Sequence, residues 1–253
     1  MTESPADTRH AFAYDAFWYD HEGERLGGVA AGPPGRATVL LLHGAGNGSK
    51  ERLLPLLEEF AAQGCRALAF DFSGHGESSG PLAELSLRRR FEQAAAVLDA
   101  HAPADDPLVL VGFSMSGQTV ADLVALHGRR VAAVGLCAPA VYAPEAWDVP
   151  FGDGDGRFSA ILREPDGWRA SPALDALRAY EGRAVLAVPG TDTIIPPAVT
   201  QAVWEALSAR ASPTRLDIPD AEHWLGLWFR DHAEDRRRFV AALLTAPDSA
   251  EAG

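Results

Sequence analysis

In this chain of 253 residues the plainest chemistry sits in Gly112-Phe113-Ser114-Met115-Ser116-Gly117. The segment follows the apolar run Leu108 to Gly112, which reads as a strand, and leads into Met115 to His127, where apolar residues recur at helical spacing. A serine on such a strand-to-helix turn is held in a strained conformation with its hydroxyl above the sheet, the setting of a nucleophile elbow. The turn closes only if the residues two before and two after the serine are small. Gly112 meets that demand; Ser116 stands where glycine is usual, with Gly117 directly after it. Ser116 would start inside the helix, so Ser114 is the candidate nucleophile. The competing reading is a serine in an ordinary glycine-rich turn.

A serine hydroxyl is a weak nucleophile and needs a general base that titrates near neutrality, which histidine does unperturbed. Of the eight histidines, His223 lies in Ile218-Pro219-Asp220-Ala221-Glu222-His223-Trp224. That loop follows the last predicted strand, on the carboxyl edge where open α/β sheets gather ligands. His10, His21, His101, His127 and His232 fall in the tail, a turn, or polar helix and loop positions, and are expected in solvent.

With the elbow in mid-chain, the sequence from about Thr38 onward resembles the α/β-hydrolase superfamily. Leu41-Leu42-His43-Gly44-Ala45-Gly46 is similar to its H-G-x-x-G loop, and Asp71-Phe72-Ser73-Gly74-His75-Gly76-Glu77-Ser78 to its D-x-x-G-x-G-x-S turn. The resemblance implies that His223 is the base, that the backbone N–H groups of Ala45 and Met115 form an oxyanion hole, and that His43 and His75 hold their loops. Such amides stabilise the charge that acyl transfer builds on a carbonyl oxygen, with no reorganisation during the reaction. The acid follows the serine and precedes the histidine in chain order. Gly190-Thr191-Asp192-Thr193-Ile194-Ile195-Pro196 is similar to the family's D-x-I/V-V-P segment, which makes Asp192 the acid, although the family more often has one more residue between that glycine and the aspartate. Asp148 is the second candidate, because some related enzymes take the acid from that position. Asp217, in a strand, and Asp220, at a turn, read as ordinary carboxylates.

The elements that must position these groups alternate along the chain. Thr38 to Leu42, Ala67 to Phe70, Leu108 to Gly112, Val131 to Ala138, Ala184 to Pro189 and Thr214 to Ile218 read as buried strands without polar alternation. Lys50 to Gln63, Leu85 to Ala100, Met115 to His127, Ala198 to Ala209 and Asp231 to Leu244 have helical spacing. Phe12 to Tyr19 and Arg25 to Ala31 flank a turn as an antiparallel hairpin, and Met1 to His10 reads as a frayed polar tail. The expected fold is α/β, the α/β-hydrolase fold: one domain over 1–253 with a mostly parallel sheet and helices on both faces. A long connection, about 142–180, interrupts the rhythm and is expected to be a small lid. Its Tyr142, Trp147, Phe151, Phe158 and Trp168, with Trp224 beside the base, either line a substrate pocket or pack the lid onto the core.

Composition narrows the partners. A formal net charge of −13 makes nucleic acid and anionic membrane surfaces poor partners and suits a neutral or cationic small molecule; a homodimer is left open. The first thirty residues hold no secretory or membrane-spanning run, and Cys65 and Cys137 sit in apolar runs that suit a reducing compartment, so the cytoplasm is the expected location. The expectation is a serine hydrolase acting on an ester, thioester or similar acyl bond, with no metal or organic cofactor; feruloyl-esterase-like and serine-aminopeptidase-like members are the nearest in pattern. The alternatives are a catalytically silent binding scaffold, an isomerase or cyclase on the same fold, and a peptidase of small amides. Haloalkane dehalogenation is disfavoured, since it needs a carboxylate at position 114.

Overall fold

A computed structural model of the chain describes residues 13–245. The tail Met1 to His10 and the first residue of the predicted hairpin, Phe12, lie outside them. The hairpin itself consists of β1 (Asp15–His21) and β2 (Glu24–Ala31), paired antiparallel around Glu22 and Gly23, both at positive φ. The remaining strands are β3 (Thr38–Leu42), β4 (Arg66–Phe70), β5 (Leu108–Phe113), β6 (Val131–Cys137), β7 (Arg183–Pro189) and β8 (Ser212–Ile218). They form a single eight-stranded sheet in the order β1-β2-β4-β3-β5-β6-β7-β8, in which β2 meets β4 antiparallel and every pairing from β4 to β8 is parallel.

Parallel neighbours need crossover helices, and these cover both faces. One layer comprises α1 (Leu54–Ala62), α7 (Leu225–Asp231) and α8 (Ala233–Leu244); the other holds α2 (Leu87–His101), α3 (Ser116–His127), α5 (Pro172–Ala179) and α6 (Pro197–Leu207). A further helix, α4 (Arg157–Arg163), lies in the long connection. The inner strands read as continuous apolar runs because alternate residues serve opposite faces. Leu40 and Leu42 join the α2/α3 side, whereas Val39 and Leu41 join the α1/α8 side.

Two readings change here. The strand ending at Ile218 is not buried on both faces: β8 is the edge strand, with only Leu216 and Ile218 buried, and its sequence SPTRLDI alternates accordingly. The residues before the last helix also form α7, a separate helix. The 138–182 connection has two unlike parts: α5 packs against α3 and α6 as part of the helical layer, while the stretch through α4 lies over the carboxyl edge of the sheet.

Candidate functional site

Three strands end at the same edge. β5 delivers Ser114, β7 delivers Asp192 and β8 delivers His223. Ser114 sits at φ +51°, a left-handed conformation that costs a residue with a Cβ about 1–2 kcal/mol. The surroundings hold it there: its N–H donates to the Cys137 carbonyl at 2.9 Å and its own carbonyl accepts from Gly117 and Ala140. Gly112 lets the chain return, since a Cβ there would lie 2.5 Å from the Ser116 carbonyl oxygen.

The imidazole of His223, 6% exposed, bridges the other two groups. Its Nε2 is 2.9 Å from Ser114 Oγ and its Nδ1 2.9 Å from Asp192 Oδ2. A carboxylate only accepts, so Nδ1 carries the proton and Nε2 is left to accept from the serine hydroxyl. Asp192 is fixed in turn, its Oδ1 accepting from the amides of Ile194 and Ile195 at 2.7 and 3.0 Å. The shortened loop before it is pinned to the turn after β8: Gly190 N–H donates to Ile218, and Thr191 donates to the Ala221 carbonyl through both its amide and its hydroxyl. Asp148, the second candidate acid, pairs instead with Arg88 at the surface; Asp217 pairs with Arg215, and Asp220 is exposed.

Ala45 and Met115 flank the serine. Among the described residues neither of their amides donates to a backbone carbonyl. The loop bearing Ala45 leaves β3 through His43, which is 2% exposed. The Phe72 amide donates to His43 Nε2 at 3.2 Å, which places the proton on Nδ1, 2.7 Å from the Gly44 carbonyl. Burial, and then the nearby Arg90 cation, hold that imidazole well below its usual pKa, so it is a neutral structural group. Gly48 closes the loop; a Cβ there would meet the Gly44 oxygen at 2.4 Å. His75 lies against His43, its rings 4.8 Å away, and is likewise buried.

A cavity of about 410 Å³ opens over Ser114 and His223. Of the aromatic residues the sequence singled out, Tyr142, Trp168 and Trp224 line it. Trp147 and Phe151 do not: Trp147 packs on Phe91, and Phe151 on Phe158, in a small cluster with Leu87, Met115 and Val149 that seats the connection. Much of the rest of the wall is aliphatic, with Ile161 and Leu162 from α4 and Ile194, Ile195 and Val199 beyond β7; His43, Ser49, Arg52 and Phe113 also line it, with backbone of the glycine-rich loop. Sequence reading passed over the aliphatic residues because isolated side chains of that kind carry no chemical signature. Among the described residues Arg52 is the single Lys or Arg in the lining, which contains no Asp or Glu.

Sequence reading also passed over Lys50 and Arg90. Lys50, 3% exposed, points its ammonium at Asp71 and Glu77, each 2.7 Å away, and Glu51 at 3.0 Å, tying the Gly44–Ser49 loop to the Asp71–Ser78 turn. Those three carboxylates would otherwise resemble a cation site; the ammonium already stands among them. His232 is exposed, as expected, with its ring stacked on Trp228, whereas His101, expected in solvent, is half-buried with its ring tilted against Phe17.

Residues 33–159, half of the chain, match the family described as serine aminopeptidase, S33, and the chain belongs to that family of α/β-hydrolases. The sequence matches none of the curated proteins. Solved structures agree on the fold. The thioesterase domain of a curacin biosynthetic pathway is 17% identical, aligning 90% of this chain with 99% of its own at a TM-score of 0.69. Est1E of Butyrivibrio proteoclasticus, bound to ferulic acid, is 17% identical over 90% and 99% of the two chains, TM-score 0.68. An esterase of Pyrococcus furiosus is 19% identical over 92% and 94%, TM-score 0.64. Among the described residues no helix is long and apolar enough to cross a membrane.

Proposed function

We propose that the protein is a serine hydrolase that cleaves esters or thioesters of apolar acyl groups. The observation that carries this is the continuous chain Ser114 Oγ, His223 Nε2, His223 Nδ1, Asp192 Oδ2, each gap 2.9 Å. Ser114 Oγ attacks the acyl carbon while its proton passes to His223 Nε2. The carbonyl oxygen becomes an oxyanion facing the amides of Ala45 and Met115. Collapse expels the alkoxide or thiolate, which takes the proton from His223 and leaves an acyl-serine. Water then loses a proton to His223 as it attacks the acyl carbon, and the serine is regenerated with release of the acid. Asp192 stabilises the imidazolium formed in both steps.

The acyl group follows from the cavity. Ile161, Leu162, Ile194 and Val199 offer dispersion contacts and no side-chain hydrogen bonds, and Trp168 adds an aromatic surface, which suits an alkyl or aryl chain. The names of the structural neighbours, a thioesterase domain, an esterase and a ferulate-bound protein, agree with that chemistry. The family's description favours peptide substrates, but an aminopeptidase must hold an α-ammonium group, and among the described residues no carboxylate lines this cavity. A fluorophosphonate probe is expected to label the wild-type protein and not Ser114→Ala. Turnover of p-nitrophenyl esters in that variant should fall by about three orders of magnitude or more. Full esterase activity in Ser114→Ala, or turnover confined to aminoacyl amides, would overturn the reading.

A further inference from the structure

Arg90, on α2, is buried completely although no carboxylate lies within ion-pair reach of it among the described residues. Its guanidinium lies 3.7 Å over the face of Phe72. One nitrogen, Nη2, donates to the His43 carbonyl at 2.7 Å and to Ser116 Oγ at 2.7 Å. Ser116, equally buried, donates its hydroxyl proton to the same His43 carbonyl at 2.7 Å. Three elements therefore converge on one carbonyl oxygen: α2, the first turn of α3 that follows the nucleophile, and the loop after β3. Burying a cation without a carboxylate is costly, and the Nε and Nη1 atoms of Arg90 have no hydrogen-bond partner among the described residues. An apolar residue would fill the same space without that cost, so packing alone does not account for it.

We propose that Arg90 and Ser116 form a clamp that sets the position of the loop donating the Ala45 amide, and that Ser116 is the positioning residue of the pair nearest the reaction. The loop needs a clamp. Gly44, Gly46 and Gly48 leave it little intrinsic stiffness, and its own closing hydrogen bond, Gly48 N–H to the Ala45 carbonyl, is long at 3.3 Å. His43 is two residues from the amide that must lie 2.7–3.1 Å from a developing oxyanion, so fixing its carbonyl fixes that amide. The departure from glycine at 116 then has a use. Gly117 keeps α3 close to Pro139, where a Cβ would sit 2.6 Å from that ring, and this frees position 116 to carry a hydroxyl.

The clamp rests on the hydrolase reading only for its effect on rate; its effect on the loop is separate. Ser116→Ala, which removes the hydroxyl and leaves a small residue, should lower kcat on a short p-nitrophenyl ester by about tenfold, with KM within about twofold. Affinity for a trifluoromethyl ketone, which mimics the tetrahedral oxyanion, should weaken by the same factor as kcat/KM, since both depend on the amide. Hydrogen exchange at the Gly48 amide, whose bond to the Ala45 carbonyl closes the loop, should quicken while global unfolding by urea moves little. Arg90→Lys, which keeps the charge and loses the fork, should show the same pattern. The clamp is overturned if the Ser116→Ala loop exchanges at the wild-type rate, or if KM and kcat change together in step with global stability. A wild-type protein that turns over no ester would remove the hydrolase reading, and the exchange rates would still decide the clamp.

Discussion

Ser114 and Lys50 show two ways in which a single residue is committed to this site. The serine is held in an unfavourable backbone conformation by Cys137 at the end of β6, Gly117 in α3 and Ala140 in the connection after β6, and its local pattern announces it. Lys50, by contrast, opens the stretch Lys50 to Gln63 that reads only as a helix, with no chemistry of its own. Its importance comes from Asp71, which is wholly buried and accepts from both the Lys50 amide and its ammonium, at 2.8 and 2.7 Å. Replacing Lys50 by methionine keeps the stem and strips the charge, leaving that buried carboxylate with the amides of residues 50 and 77 and no cation. Urea unfolding at pH 7 is expected to show a loss of about 3–5 kcal/mol, the cost of breaking a buried pair. A loss below about 1 kcal/mol would mean that water reaches Asp71 and that the pair behaves as a surface one. The residues with a local signature, Ser114, His223 and Asp192, were legible in the sequence and are brought within hydrogen-bonding distance of one another. Lys50, Arg90 and Ser116 were not, because what they do depends on partners 21 to 73 positions away.

At the scale of elements, α3 illustrates the same division. Its apolar periodicity identified it as a helix, yet the buried face also carries Gln118 and Asp122. Gln118 is a junction: its oxygen accepts from the Tyr142 amide and the Ser171 hydroxyl, and its nitrogen donates to Asp122 Oδ1 at 2.9 Å. A polar residue in an apolar stripe was the available signal, as it was for Arg90 in α2. The other carboxyl oxygen of Asp122 is buried without a partner, and burial raises the group's pKa to about 7 against the opposing pull of the Gln118 hydrogen bond. A carboxyl with a folded pKa above its unfolded one binds more protons when folded. Stability from this group therefore falls as pH rises from about 4 to about 7. Asp122→Asn removes the titration. It is expected to be more stable than wild type by about 1–3 kcal/mol at pH 8 and nearly equal to it at pH 4, by urea unfolding across that range. His43, held neutral by burial, works the other way, losing stability as pH falls below its unfolded value, but it does so in both proteins and cancels in the difference. A constant difference across the range would show that Asp122 is ionised in the native state.

The strands were read well where both faces are covered and poorly at the edge. β3, β5 and β6 have the unbroken apolar character that burial on two sides requires, whereas β8 borrows half its surroundings from solvent and its pattern is diluted. α7 is seven residues long and lies directly after the loop that carries His223, too short for a periodicity to declare itself. Across the whole molecule the charge distribution is the feature that composition alone made visible. The chain has a formal net charge of −13, yet the wall of the cavity holds one arginine and no acid. A substrate therefore crosses an acidic exterior before reaching an apolar chamber, and the long-range field and the local contacts can be separated by salt. The Debye length falls from roughly 30 Å at 0.01 M ionic strength to about 8 Å at 0.15 M, so salt weakens the first and hardly touches the second. For esters sharing one acyl group, kcat/KM for an anionic leaving group should rise about two- to threefold over that range, for a cationic one should fall by a similar factor, and for a neutral one should hold steady. If all three respond alike, the exterior charge does not govern approach. In that case Arg52, the only formal charge of its sign on the wall, would set any preference among the three leaving groups.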